Sequence, residues 1–419
     1  MRMSGPVTAH DADLVADQIA SGEAERAAAI VHELARHTPL LSSRSLSDRA
    51  GGRVVLKAEN LQRTGSFKLR GATHKIGHIG DATGVVAGSA GNHGQSLAYA
   101  ARAKGIGCEV FMPREAPVAK VAAVQAFGGT VRVGGETVDD CVAAALERAT
   151  ETGAAFVHPF DDPDVILGQA TLGLELLADV PDLETVIVPV GGGGLISGIA
   201  GVVKAARPDT RVVGVQVEAC APFPESLQRG LPLMCTPKFA TIADGIAVKR
   251  PGKITLALVK RWVDELVVVD EDETADAMVW LMERSKLVVE GGGAVGVAAL
   301  LCGKVVATAR GTTAIVLSGG NVDAGLLAAI AQRAETVAGR RLRLFTRISD
   351  RPGGLAALLT TIAEQGGNIV HTDHIREAAS LHVRETGVEI ALETRGREHN
   401  DAIVAALEAA GYAVRRLDT

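Results

Sequence analysis

The sequence has no run of about 18 uninterrupted apolar residues, so a membrane-spanning helix is not expected. Its start, MRMSGPVTAHDADLVADQIASGEAERAAAIV, holds no apolar stretch long enough for a secretory signal. No basic run stands out, and the formal net charge is −6. Together these argue against nucleic-acid partners and against attachment to anionic membranes. Cysteines are few and unpatterned: Cys108, Cys141, Cys220, Cys235 and Cys302 are an odd number without Cys-x-x-Cys spacing. Buried, reduced thiols in a cytoplasmic protein are therefore expected. What is present is a balance of 47% hydrophobic and 22% charged residues, usual for a soluble globular chain. At 419 residues the chain is too long for one ordinary core, which points to two or three domains.

From Arg53 to about Ser318, short β-branched runs alternate with alanine-rich stretches. Strands are expected at Val54–Lys57, Val85–Ala87, Glu109–Phe111, Val131–Val133, Thr185–Val190, Val212–Val217, Glu265–Val269 and Thr313–Leu317. Between them Gln95–Lys104, Val118–Phe127, Val138–Thr150 and Ile196–Ala206 carry apolar residues at helical spacing. Such alternation implies an α/β class with a parallel sheet. The pattern changes near residue 340. Strands are expected at Arg341–Ile348, Asn368–Ile375, Val388–Thr394 and Tyr412–Arg416, with helices at Gly353–Glu364 and Asn400–Ala410. Two βαβ halves in about 80 residues give an α+β unit of ferredoxin-like topology. The alanine-rich stretch Ala324–Gly339 is read as the connection.

Glycine-rich punctuation falls at the carboxyl ends of strands, where open α/β sheets bind ligands. After the first strand comes Ser66-Phe67-Lys68-Leu69-Arg70-Gly71. A lysine at a helix start is ordinarily a solvated charge, but one desolvated beside an aromatic ring loses its proton and condenses with an aldehyde. The second motif is Gly88-Ser89-Ala90-Gly91-Asn92-His93-Gly94-Gln95, a strand-to-helix turn with backbone N–H groups suited to a carboxylate. The third, Gly191-Gly192-Gly193-Gly194-Leu195, follows a strand and precedes a helix, which makes a phosphate cradle. It is neither a Walker sequence nor Gly-x-Gly-x-x-Gly, so a lone phosphate fits better than a nucleotide. The fourth, Ser318-Gly319-Gly320-Asn321, closes the last strand.

In that order, and with Thr38-Pro39-Leu40 and Thr241-Ile242-Ala243-Asp244-Gly245-Ile246-Ala247-Val248 beside them, the motifs resemble those of the fold-type II pyridoxal-phosphate enzymes. The match is closest to the threonine ammonia-lyases (threonine dehydratases) and covers about Thr38 to Asn321. The resemblance implies a tryptophan-synthase-β-like, two-lobed open sheet over residues 1–335, with a smaller lobe at about 60–160. It implies pyridoxal 5'-phosphate as cofactor and an amino acid as substrate. Lys68 would hold the cofactor and later take the substrate Cα proton, and Phe67 would pack against the pyridine ring. Gly191, Gly192, Gly193, Gly194 and Leu195 would bind the phosphate, Asn92 the ring hydroxyl, and Ser318 the ring nitrogen. Ser89, Ala90, Gly91 and His93 would surround the substrate carboxylate.

Ser318 and Ala90 sharpen the expectation. A neutral serine at the ring nitrogen makes a poorer electron sink than an aspartate, which suits rapid loss of a β-substituent. Ala90 stands where the serine racemases of this family carry a serine, so elimination should exceed racemisation. Those enzymes also often bind a divalent cation near a glutamate that here is Glu218. Pro224 stands where a second carboxylate ligand would align, so no metal is assigned.

Residues 340–419 carry a second resemblance, to ACT domains, through Asp350-Arg351-Pro352-Gly353-Gly354-Leu355 and Gly367-Asn368-Ile369. Asp350, Pro352, Gly353, Leu355 and Asn368 are the expected contacts for an amino-acid effector, isoleucine or valine first. ACT domains usually pair side by side and bind small ligands at the seam, which implies a homodimer or homotetramer. The alternatives are a serine racemase or another 3-hydroxy amino acid dehydratase, and a non-catalytic amino-acid sensor.

Overall fold

In the computed structural model, which describes residues 9–376 and 384–417, the β-branched runs are strands and the alanine-rich stretches between them are helices. The chain divides into two compact units, Met1–Asp323 and Ala324–Thr419. The alanine-rich stretch is itself a helix, Ala324–Val337, and belongs to the second unit.

The first unit holds ten strands: β1 (Leu40–Ser42), β2 (Arg53–Ala58), β3 (Gly84–Gly88), β4 (Gly107–Pro113), β5 (Thr130–Gly135), β6 (Ala155–Phe156), β7 (Leu183–Pro189), β8 (Arg211–Val217), β9 (Glu265–Val269) and β10 (Thr312–Leu317). Six form one sheet in the order β1-β2-β10-β7-β8-β9, parallel except for the antiparallel edge strand β1. The other four form a parallel sheet in the order β5-β4-β3-β6. This is the expected two-lobed open sheet. The short strands β1 and β6 are additions that the composition of their segments did not signal.

Strand β10 is buried at every position and β8 at all but its first. Such strands are covered on both faces and read as continuous apolar runs rather than alternating ones. Val186, Val188, Val212 and Val316 pack with Leu172 and Leu176 of the helix Pro163–Asp179 and with Ile196, Ile199 and Val203 of the helix Gly194–Ala206. Each such side chain contributes about 1.5–3 kcal/mol on full burial. The helix Pro163–Asp179 was not among those expected, although its start carries the signals for one. Pro163 occupies the first turn, and the Asp162 carboxylate accepts from the amides of Asp164 and Val165.

In the smaller lobe Val85, Ala87, Val110 and Met112 meet Leu69, Ala72 and Ile76 from the helix Lys68–Ile76. Leu69, Ala72 and Ile76 lie at helical spacing, so one face of that helix is fastened to the lobe's core.

In the second unit β11 (Arg341–Ser349), β12 (Asn368–Ile375), β13 (Glu385–Glu393) and β14 (Arg415–Arg416) pair antiparallel in the order β12-β13-β11-β14. With the helices Gly354–Glu364 and Arg397–Ala409 the order is βαββαβ, the ferredoxin-like topology. Strand β11 alternates: Leu342, Leu344, Thr346 and Ile348 are buried between more exposed neighbours. The aliphatic three join Leu358, Ile362, Ile403 and Leu407 from the two helices. The expected last strand shortens to two residues because Tyr412 and Val414 turn onto this core.

Among the described residues no helix is long and apolar enough to cross a membrane. All five cysteines are free thiols; Cys108, Cys141 and Cys220 are buried, but Cys235 is half-buried and Cys302 exposed, so the expectation of buried thiols holds for three.

Candidate active site

A cavity of about 860 Å³ opens in the first unit at the carboxyl ends of strands from both sheets. Segments after β3, β6, β7 and β10 line it, together with Lys68 and Glu290.

Lys68 reaches the cavity through an extended approach. Gly65 has φ +74°, and a Cβ there would meet the Asn321 side chain at 2.2 Å. The residues around it pair with the segment after β10: the Phe67 amide donates to the Ser318 carbonyl at 3.0 Å, and the Gly320 amide to the Gly65 carbonyl at 2.9 Å. The first and fourth motifs are thereby stitched together, with Lys68 one residue beyond the seam. Its Nζ donates to the Pro159 carbonyl at 2.6 Å and lies 5.2 Å from the centre of the Phe67 ring. Burial lowers the Lys68 pKa to about 8, against the opposing pull of the Glu290 charge.

Behind Lys68 the same helix is anchored by charge. The fully buried Arg70 guanidinium donates to Glu59 at 2.8 and 2.9 Å and to Glu175 at 2.7 and 3.0 Å. Lys57, also fully buried, pairs with Glu175 at 2.8 Å and with Asp179 at 2.9 Å. Despite its burial, these cations hold the Glu175 carboxyl at about 2.

The tetraglycine loop starts the helix Gly194–Ala206, whose N-cap, Gly193, has φ +92° and no side chain capping the helix. The first amides of a helix have no acceptor within it, so these N–H groups and the helix dipole are left for an anion. Side chains are excluded by packing. A Cβ on Gly192 would stand 2.3 Å from the Phe160 ring, and one on Gly194 would stand 2.9 Å from the Phe160 carbonyl. The Thr255 hydroxyl donates to the Gly192 carbonyl at 2.7 Å, which fixes that peptide's orientation.

Asn92, at the start of the helix Asn92–Ala103, donates from Nδ2 to Glu290 at 2.7 Å, and its Oδ1 accepts from Asn321 Nδ2 at 2.8 Å. Asn321 therefore sets which end of the Asn92 amide faces which neighbour. Burial, then the charge of Asp244, push the Glu290 carboxyl up to about 7. The Ser89 hydroxyl accepts from the amides of Gly91 and Gly94, both at 3.2 Å, so it props the loop that holds Ala90 and Gly91 on the cavity wall. His93 also lines the cavity, but its Nε2 bonds the Val157 carbonyl at 3.0 Å, and burial with the Lys68 charge lowers its pKa to about 3. It is a neutral wall rather than a cation for a carboxylate. The buried Ser318 hydroxyl lines the cavity, held at 3.4 Å from the Gly292 carbonyl.

An aldehyde-reactive amine, an uncapped helix start for a phosphate, and amide and hydroxyl groups around a flat ring fit pyridoxal phosphate. The family model described as "Pyridoxal-phosphate dependent enzyme" matches residues 31–319. The chain belongs to this family. This pyridoxal-phosphate enzyme is 46% identical to the L-threonine ammonia-lyase of Thermotoga maritima over 381 residues, 90% of this chain and 94% of the relative. Among solved structures, the processed threonine deaminase isoform 2 of Solanum lycopersicum is 33% identical with a TM-score of 0.70, covering 75% of this chain and 93% of that one. Maize serine racemase is 34% identical with a TM-score of 0.69, covering 74% and 97%.

The pyridoxal-phosphate enzyme thus brings together every residue expected at the cofactor: Phe67, Lys68, Asn92, Gly191 to Gly194, Leu195 and Ser318 all line one cavity. Glu290, Asn321, His158 and Phe160 line it too and were not singled out. Asn321 lay inside a quoted motif; Glu290 sits in Glu290-Gly291-Gly292-Gly293, an acid ahead of three glycines that could have been read as a second strand-to-helix turn. At the suspected cation position Glu218 instead pairs with Lys238 Nζ at 2.7 Å. Another cluster with metal-ligating groups, His74, His78 and Asp164, has its carboxylate engaged by Lys75 at 2.9 Å.

Asp350, Pro352, Gly353 and Leu355 share the turn after β11, but Asn368 lies at the far end of the sheet. Asn368 pairs with Glu393, and Glu393 with Arg341 at the start of β11, while Ser349 at its end pairs with Glu385. An antiparallel register nine residues long separates them within one chain, and the expected ligand position is the seam between two paired copies.

Proposed function

We propose that this chain is an L-threonine ammonia-lyase. It converts L-threonine and L-serine to 2-oxobutanoate and pyruvate respectively, with release of ammonia. The observation that carries the reading is Lys68: a cavity-facing amine held by the Pro159 carbonyl, with its pKa brought down to about 8, opposite an uncapped glycine-rich helix start. The identity of 46% across 90% of the chain supports it.

Pyridoxal phosphate, when bound, withdraws electrons from the substrate Cα so that its proton and the β-hydroxyl can leave. The residues do the rest. Lys68 alternates between holding the cofactor and, once free, taking the Cα proton as a neutral amine. The amides at Gly191 to Leu195 hold the phosphate. Asn92, oriented by Asn321 and Glu290, would hold the ring hydroxyl, and Ser318 would offer the ring nitrogen a neutral partner. Ala90 presents a methyl group where a proton donor would be needed to invert Cα, which favours elimination over racemisation. The turn at Ala90 and Gly91 receives the substrate carboxylate.

The second unit is proposed to be an ACT domain that binds isoleucine or valine and pairs with a second copy. Its sheet order supports this, as does the turn at Gly353, which starts a helix with φ +89° and no side-chain cap.

The test is Lys68→Ala. Its expected outcome is loss of the visible absorbance of bound cofactor and of keto-acid release from L-threonine. Retention of both would overturn the assignment. D-serine formed from L-serine as fast as pyruvate would favour the racemase reading instead.

A further inference from the structure

Two of the five cysteines end side by side. Cys220 follows β8 in a tight turn, its amide donating to the Val217 carbonyl at 3.0 Å. Cys235 lies 15 residues further on, its amide donating to the Lys249 carbonyl at 2.8 Å. Their Sγ atoms are 3.0 Å apart, about 1 Å beyond the length of a disulfide bond. Bonds that do not involve sulfur build this approach. The Lys238 amide donates to the Ala219 carbonyl at 3.1 Å, Lys238 Nζ pairs with Glu218 at 2.7 Å, and the Leu233 amide donates to Ser226 Oγ at 3.0 Å. Pro232, Met234 and Lys249 line the cavity, whereas neither sulfur does.

We propose that Cys220 and Cys235 form an oxidation site, which a small-molecule disulfide closes into a protein disulfide that pins one wall of the cavity. Cys235, the more exposed of the two, reacts first. Its thiolate attacks one sulfur of the reagent RSSR, forming Cys235–S–SR and releasing RS⁻. Cys220 then loses its proton and attacks the Cys235 sulfur, which expels the second RS⁻. Two protein thiols lose two electrons and two protons, and one RSSR becomes two RSH. The order follows from exposure: Cys235 is the more accessible, and burial and the neighbouring sulfur push the Cys220 thiol up to about 12, so Cys220 attacks second, once the mixed disulfide lies beside it. The Lys249 ammonium acts the other way and favours the thiolate.

The test uses the full-length holoenzyme carrying Cys302→Ser, because Cys302 is exposed and would trap reagent. Four cysteines then remain of the five. After treatment with oxidised glutathione, thiols titrated under denaturing conditions should fall from four to two. A Cys220–Cys235 cross-link should appear in the non-reducing digest, and dithiothreitol should reverse both. Adding Cys220→Ser should leave basal turnover unchanged, abolish the link and convert Cys235 into a stable glutathione adduct. Adding Cys235→Ser should abolish the link with no adduct on Cys220. A stable adduct on Cys235 while Cys220 is present, or four thiols surviving a treatment that modifies Cys302 in the unmutated enzyme, would overturn the proposal.

Discussion

Glu290 is a residue whose charge the cavity controls. Its carboxyl rises to about 7 because burial and the nearby Asp244 charge penalise ionisation more than the Asn92 amide favours it. A raised carboxyl costs stability as pH increases. Below about pH 4.3 both folded and unfolded forms are protonated. Between there and about 7 the unfolded chain ionises first, and above 7 the penalty is complete. Glu290→Gln removes this dependence while keeping a partner for Asn92. The apo-variant's thermal midpoint, relative to that of the unmutated apoenzyme, should climb from pH 5 to 7 and then level off. A constant difference would show that Glu290 is not held neutral. Lys68 supplies the converse case. With its pKa near 8, apoenzyme should recapture added pyridoxal phosphate about tenfold faster per pH unit up to 8 and no faster beyond. Stopped-flow absorbance checks this. Lys68, Asn92 and Ser318 were legible only together: each alone reads as an ordinary residue of a turn or helix start, and the order of the four motifs, through the family resemblance, singles them out. Glu290 was not, since its role depends on Asn92, 198 positions away, and on burial that no local spacing encodes.

At the scale of elements, the site depends on two helix starts arriving with the right ends forward. The helix Gly194–Ala206 brings unoccupied amides, and Phe160 leaves no room for a side chain at Gly192 or Gly194. Gly192→Ala should weaken pyridoxal-phosphate binding at least about tenfold, a change of about 1.4 kcal/mol. Because the loop is at the cavity rim of an otherwise unchanged core, the apoenzyme's secondary structure should stay intact, and fluorescence titration with cofactor reads the affinity. The helix Lys68–Ile76 is held instead by Arg70 between Glu59 and Glu175. Arg70→Met leaves both carboxylates without that cation in a buried setting and should cost about 3–5 kcal/mol in urea unfolding. Strands β7, β8 and β10 were legible because burial on both faces makes them continuous apolar runs. The helix Pro163–Asp179 escaped because it is apolar around most of its circumference, with Ile166 to Gly173 all buried, so no period stands out. The Arg70 network escaped too: a buried arginine and a solvated one read alike until the carboxylates from Glu59 and Glu175 are placed beside it.

At the scale of the whole molecule, a catalytic unit and an α+β unit share one chain, and the second can alter the first only if its ligand binds one state of the enzyme more tightly than another. The turn at Gly353 is the place proposed for such a ligand. Gly353 is in the left-handed region at φ +89°, nothing lies within 4 Å of where its Cβ would stand, and the helix beginning at Gly354 has no side-chain cap. An amino-acid carboxylate seated there would accept from amides of the helix's first turn. Gly353→Asp strains that backbone and supplies an internal carboxylate for the same amides. The variant should keep its turnover on L-threonine but lose both calorimetric binding of isoleucine or valine and their effect on rate. Reciprocity adds a second check: if isoleucine lowers the affinity for a substrate analogue by some factor, the analogue must lower the affinity for isoleucine by the same factor. Binding that persists unchanged in Gly353→Asp moves the effector site off this turn. Absence of binding by any proteinogenic amino acid to the unmutated enzyme leaves the second unit with assembly as its role, which the subunit number of a chain ending at Asp323 then measures.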